Sequence, residues 1–155
     1  MKKFVLAVIG IALFAMTGVA FAAQVTNNIQ VLASVANTCR ITTAATNVNF
    51  GDYDPMSIID DTDGVSSIGF RCTKGLEYWT YIQRTNSMSS GSNNLTYQLY
   101  TDAGLTTAWA TSKSGSGTIS LNNQPQSIVI NGKITAGQDV PAGSYSENVT
   151  VTIEW

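Results

Sequence analysis

The chain has no histidine, two cysteines and three prolines, and only 12% of its 155 residues carry a charge. Lack of histidine removes the usual general base, the Ser-His and Cys-His nucleophile pairs and the commonest transition-metal ligand together. Most enzyme classes fall with it. A net charge of -2, from 8 basic and 10 acidic residues, offers no basic footprint for nucleic acid and no acidic disordered tail. Two thiols are too few ligands for a zinc site. There is no internal repeat, no low-complexity linker and no helical spacing of apolar residues after the first two dozen positions.

Those first positions are a different kind of segment. Lys2 and Lys3 precede an apolar run from Phe4 to Phe21, followed by Ala22. A basic start, an apolar stretch and small residues at Ala20 and Ala22 read as a secretory signal over residues 1–22, cut before Ala23. About 18 apolar residues is marginal for a permanent span, and no second such stretch follows. The expected mature chain, Ala23–Trp155, holds 133 residues. With Lys2 and Lys3 removed, 6 basic residues face 10 acidic ones.

Export decides the reading of the cysteines. Cys39 and Cys72 are the only two, and in an oxidising compartment a lone pair is most simply a disulfide. Closing a loop of that length stabilises a fold by roughly 3 to 4 kcal/mol on the chain-entropy account.

Ser, Thr, Asn and Gln supply 52 of the 133 mature residues, yet β-branched and aromatic residues are interleaved among them, which is a strand pattern and not a disordered one. Val25, Ile29, Val31, Ala33 and Val35 fall on one face of an extended segment, with Thr26, Asn28, Gln30 and Ser34 on the other. Asn27 shares the apolar face. Further strand-like runs occupy residues 46–50, 65–73, 77–84, 95–100, 117–121, 127–136 and 144–155. In the last, Tyr145, Val149, Val151, Ile153 and Trp155 alternate with polar residues, and only Glu147 interrupts the apolar face. Asp63-Gly64, Lys74-Gly75, Asn122-Asn123 and Pro141-Ala142-Gly143 mark turns, and residues 86–94 read as one exposed loop. Seven or eight short strands at this spacing predict an all-β, immunoglobulin-like sandwich, with a small closed barrel as the architectural rival.

Four stretches, taken in order, carry a resemblance. They are Cys39-Arg40-Ile41 with Phe50-Gly51-Asp52-Tyr53-Asp54-Pro55; Cys72-Thr73-Lys74-Gly75; Leu95-Thr96-Tyr97-Gln98-Leu99-Tyr100-Thr101-Asp102 with Trp109; and Gly132-Lys133-Ile134 through Pro141-Ala142-Gly143-Ser144-Tyr145 to Val149-Thr150-Val151-Thr152. Together they resemble the spore coat protein U family, whose domain also builds subunits of archaic chaperone-usher pili. The resemblance implies an incomplete immunoglobulin-like β-sandwich, completed by a donor strand from a neighbour. Its partners would be identical or related subunits, a periplasmic chaperone and an outer-membrane usher, with no nucleic acid. It also implies export through the periplasm to a cell surface, pilus or spore coat, in support of adhesion or biofilm formation.

The expected organisation is therefore a signal at 1–22, a donor-strand extension at 23–38 and a pilin domain at 39–155. The donor residues are Val25, Ile29, Val31, Ala33 and Val35; the acceptor, chaperone-facing strand carries Tyr145, Val149, Val151, Ile153 and Trp155. The alternative for 24–36 is the first strand of an ordinary closed sandwich. A mature chain of one domain suits a shaft or minor subunit better than a two-domain adhesin.

Three other chemistries fail on the same residues. Asp60, Asp61 and Asp63 before Gly64 suggest a calcium loop, but setting Gly64 sixth puts Ile59 first and Phe70 twelfth, without either end ligand. Ser114-Gly115-Ser116-Gly117 lacks a phosphate-loop spacing, no S-x-x-K occurs for a Ser-Lys nucleophile, and Asp52 and Asp54 flank a turn before Pro55. No catalytic residue, metal or cofactor is expected. The functional rival is a monomeric extracellular carbohydrate-binding module, using the aromatic cluster Tyr78, Trp79 and Tyr81 to stack a sugar.

Overall fold

The computed structural model describes residues 23–155; the expected signal at 1–22 lies outside the described residues. By its internal packing the chain divides into two units, the first ending at Ser34 and the second running from Val35 to Trp155. In the first, residues 23–34 form no strand, and Val25, Ile29 and Val31 are between 82% and 97% exposed. The strand expected over 24–36 is thus absent from a single chain. An extended segment makes no ladder bonds with itself, so it becomes a strand only when a neighbouring strand supplies them.

The second unit is all-β among the described residues. Its strands are β1 (Cys39–Thr43), β2 (Val65–Cys72), β3 (Glu77–Gln83), β4 (Ser87–Ser90), β5 (Asn93–Thr96), β6 (Gln98–Tyr100), β7 (Thr118–Ile119), β8 (Gln126–Lys133) and β9 (Thr150–Glu154). One sheet has the order β1-β2-β8-β6, a second β7-β3-β9, and β4-β5 form a separate hairpin; every pairing is antiparallel.

Alternation places one face of each sheet inside. From β2, Ser66, Ile68, Phe70 and Cys72 point inward while Val65, Ser67 and Arg71 are exposed. From the facing sheet, Tyr78 and Ile82 do the same. Ile82, Leu95, Tyr97, Leu99, Trp109, Ile130 and Ile134 make the larger core cluster. Cys39, Phe70, Cys72 and Tyr78 make the smaller one, with Phe70 and Tyr78 edge to face at 5.3 Å between centroids. This is the immunoglobulin-like sandwich that the strand spacing predicts.

Several local readings change. Residues 46–50 form no strand, and β1 lies just before them instead. Residues 86–94 are not one loop but most of the β4-β5 hairpin, closed at Gly91-Ser92. Gly91 has φ 59° at the first turn position, the conformation a two-residue type II′ turn requires, so a polar Ser/Asn/Gly stretch conceals two short strands. Of the run 144–155, only Thr150–Glu154 is a strand. Its first half is held by side chains and a single bridge between Ser89 and Ser146.

Cys39 and Cys72 oppose each other directly in the β1-β2 ladder and are bonded, with S–S 2.01 Å. The bond fastens a short edge strand to the sheet. Replacing both cysteines by alanine is expected to remove about 3 to 4 kcal/mol, and to lower Tm by roughly 10 to 15 °C in thermal unfolding of the refolded mature chain.

Candidate strand-acceptor groove

β9 bonds to β3 along one edge; its other edge has no ladder partner among the described residues. Across from that edge runs the chain after β1, residues 45–53, also without a ladder. Two adjoining hollows of about 570 and 610 Å³ lie between these walls and share Val48, Asn49, Phe50, Met88 and Tyr145. Their floor includes Leu95, Tyr97, Leu99, Ile130 and Ile134, which belong to the larger core cluster. The hydrophobic core therefore opens sideways into a groove with an apolar floor and mixed polar and apolar walls.

Each wall is held by something other than strand pairing. On the 45–53 side, the Ser66 hydroxyl bonds the Thr46 carbonyl, and the Tyr53 hydroxyl donates to the Thr135 carbonyl at 3.1 Å while accepting the Gln138 N–H at 2.9 Å. Between those anchors Phe50 lies on Gly64 and Gly132, where a Cβ at either position would come within 2.5 Å of its ring. Those two glycines are the reason a phenylalanine fits there.

On the 140–151 side the Tyr145 hydroxyl donates to the Pro141 carbonyl at 2.8 Å. Glu147, at the groove's edge, accepts the Thr85 N–H and hydroxyl, the Ser87 N–H and the Tyr97 hydroxyl, the last at 2.7 Å. So the residue that interrupts the apolar pattern is the one that pins this wall to the hairpin. Burial works against the Glu147 charge, but these four donors outweigh it and hold the carboxyl below its ordinary 4.5. Burial, then the bond to Glu147, pushes the Tyr97 phenol well up.

The expected acceptor residues divide. Tyr145, Val149 and Val151 line the hollows. Ile153 packs on the smaller cluster beside the disulfide, and Trp155 lies past the end of β9, about half exposed. On the opposite wall, Val48 and Phe50 fall in the strand-like run 46–50 and Phe50 and Tyr53 in the motif that follows, but nothing in the sequence pairs Phe50 with Gly64 and Gly132.

Outside the groove, the aromatic trio splits. Tyr78 is in the core and donates to Gln126 at 2.6 Å. Trp79 and Tyr81 lie on the outer face of β3, where the Lys113 ammonium sits 3.8 Å from the Trp79 ring centroid and pairs with Glu154 at 2.9 Å; Tyr81 donates to the same carboxylate. A sugar would have to displace that lysine. The acidic turn is also occupied: Asp60 pairs with Lys133 at 3.3 Å and accepts the Ala136 N–H, and Asp61 accepts the Asp63 N–H.

The profile of the Spore Coat Protein U domain matches residues 25–152. The chain belongs to that family. The match begins inside the unpaired extension, so the family's sequence unit includes a segment that the single folded unit leaves outside. Protein U of Myxococcus xanthus is 30% identical over 155 residues, covering 85% of this chain and 86% of that one. Among solved structures, the chain is similar to one from the CsuC–CsuE chaperone–tip adhesion subunit pre-assembly complex of the archaic chaperone-usher Csu pili of Acinetobacter baumannii, with TM-score 0.52 and 27% identity over 79% of this chain. The chain spans about two fifths of that one, 40%. The family and this neighbour are structural, non-enzymatic proteins.

Because the folded Glu147 carboxyl titrates below its ordinary value, its contribution to stability is present above about pH 4.5 and is lost as pH falls through the folded value. Thermal unfolding followed from pH 7 to pH 3 should show a steeper acid decline for the native chain than for Glu147→Gln. At pH 7, Glu147→Ala should cost about 1 to 2 kcal/mol by leaving the buried Tyr97 hydroxyl unpaired, the lower end reflecting solvent access.

Proposed function

We propose that the chain is an exported structural subunit that polymerises by lending residues 24–36 to the groove of the next copy. The observation that carries this is an apolar-floored groove beside a free strand edge, together with an exposed segment whose apolar residues alternate. Strand addition to a sheet edge takes affinity from main-chain bonds and specificity from pockets for alternate side chains. Val25, Ile29, Val31 and Val35 would each contribute about 1.5 to 3 kcal/mol on burial, roughly 6 to 12 together, an upper value before ordering entropy. That is comparable to the stability of a whole domain. Ala33 and Asn27 would meet shallower or more polar parts of the floor.

The same geometry gives reasons for the partners. An open groove and a bare edge invite aggregation, so a periplasmic chaperone would cover them until a subunit arrives at an outer-membrane usher. The organisation that follows is a signal at 1–22, a donor extension at 23–38 and a pilin domain at 39–155, with the product a pilus or surface coat fibre at the cell exterior that supports adhesion or biofilm formation.

Three exported forms test the reading: the mature chain, a form lacking 23–36, and that truncation with 24–36 re-attached after Trp155 through a flexible linker. The re-attached form is expected to be a soluble, cooperatively unfolding monomer while the mature chain forms oligomers. Val31→Asp in the mature chain should abolish the oligomers. A truncation that folds stably alone would mean a closed sandwich and no strand donation, and would turn attention to glycan binding at Trp79.

A further inference from the structure

Strand donation would bring opposite ends of successive copies near each other, and those ends differ in charge. At the groove mouth, the turn after Tyr53 displays Met56, Ile58 and Ile59, between 75% and 95% exposed. It is a shaped loop: the Ser57 N–H bonds the Asp54 carbonyl, the Met56 N–H bonds the Asp54 carboxylate, and the Ser57 hydroxyl and the Ile59 N–H bond each other's segment. Three apolar side chains held out together on an ordered loop mark a contact surface. Around them stand exposed Asp52, Asp54 and Asp63, none with an ion pair among the described residues.

The opposite end of β2, eight residues and roughly 25 Å away, is basic. Arg40 and Arg71 face each other directly in the β1-β2 ladder, where like charges are unfavourable without a counter-charge. With Lys74 they are exposed and have no ion pair among the described residues. Exposed Leu121 follows Ser120, whose backbone pairs with Gly75 and Leu76 at this same end.

Chain connectivity brings these ends together. A donor strand lying antiparallel to β9, as the closing strand of such a sandwich does, runs from the Trp155 end toward Tyr145 and leaves the groove at its mouth. Ala36 is already tied to Thr73, and Cys39 opens β1 three residues later, a reach of at most about 10 Å. The donating copy's basic end must therefore sit against the accepting copy's mouth.

The geometry points to a head-to-tail contact between successive copies of this chain, in which the Met56–Ile59 loop and its flanking aspartates dock on Leu121, Lys74, Arg40 and Arg71 of the donor. The contact rests on the strand-donation reading, and being heterologous it propagates as an open fibre.

The test uses the full exported chain carrying Ile58→Cys and Leu121→Cys, treated with a short bis-maleimide after assembly. The double variant should give a covalent ladder that survives boiling in detergent, whereas either single variant should stop at dimers. A second pair, Met56→Cys with Lys74→Cys, guards against poor folding of the first and should behave alike. Polymers that assemble normally yet show no ladder with either pair would overturn the contact and leave strand donation standing. Failure of the unmodified chain to polymerise would overturn strand donation, and the contact with it.

Discussion

A strand edge satisfies its outward N–H and C=O groups through water, through a neighbour strand or not at all, and an apolar core tolerates none of its floor being wet. At β9 both demands fall on one place. Its free edge faces the unladdered wall 45–53, and beneath the gap lie Leu95, Tyr97, Leu99, Ile130 and Ile134, the same side chains that hold the sandwich together. Closing the groove with a strand settles both the backbone and the core in one event. Much of the remaining structure keeps those walls in place while the gap stays open: the disulfide secures β1, Phe50 locks onto two glycines, and Glu147 ties the far wall to the β4-β5 hairpin.

How much of this the sequence reveals depends on whether the signal is local. Short runs rich in β-branched and aromatic residues predict the strands of β2, β3 and β8, because such side chains suit a half-buried pleated surface. The lone cysteine pair predicted its own bond. The hairpin at 87–96 was hidden because its outward residues are Ser and Asn, and only the Gly91 turn separates it from a loop. Glu147 was read as a flaw in an apolar face because its partners, Thr85, Ser87 and Tyr97, lie 50 to 62 positions away. The groove itself is half legible: Tyr145, Val149 and Val151 alternate in sequence, as do Val48 and Phe50, but the latter run makes no strand and nothing local tells that the two walls face each other.

The extension reads as a strand in sequence and is no strand in the single chain, and the two facts agree once the partner is another molecule. Val25, Ile29, Val31 and Val35 alternate in sequence and are exposed. The family match begins at residue 25, which fits a segment retained as part of the domain's working unit. Polarity along the molecule completes the picture. Acidic and apolar groups gather at the groove mouth and basic groups at the root of the extension, so the chain has a distinct head and tail even before it meets a neighbour.

Strand completion of this groove can be observed most directly by hydrogen exchange. The form lacking 23–36 would be exposed to a synthetic peptide of residues 24–36, and backbone exchange followed across the chain with and without it. The account predicts that the peptide brings protection to the core strands as a whole, strongest in Tyr145–Trp155 and residues 45–53, and that this protection is lost when the peptide carries Val31→Asp. Protection that is absent, spread evenly over the outer faces, or indifferent to that substitution would contradict it.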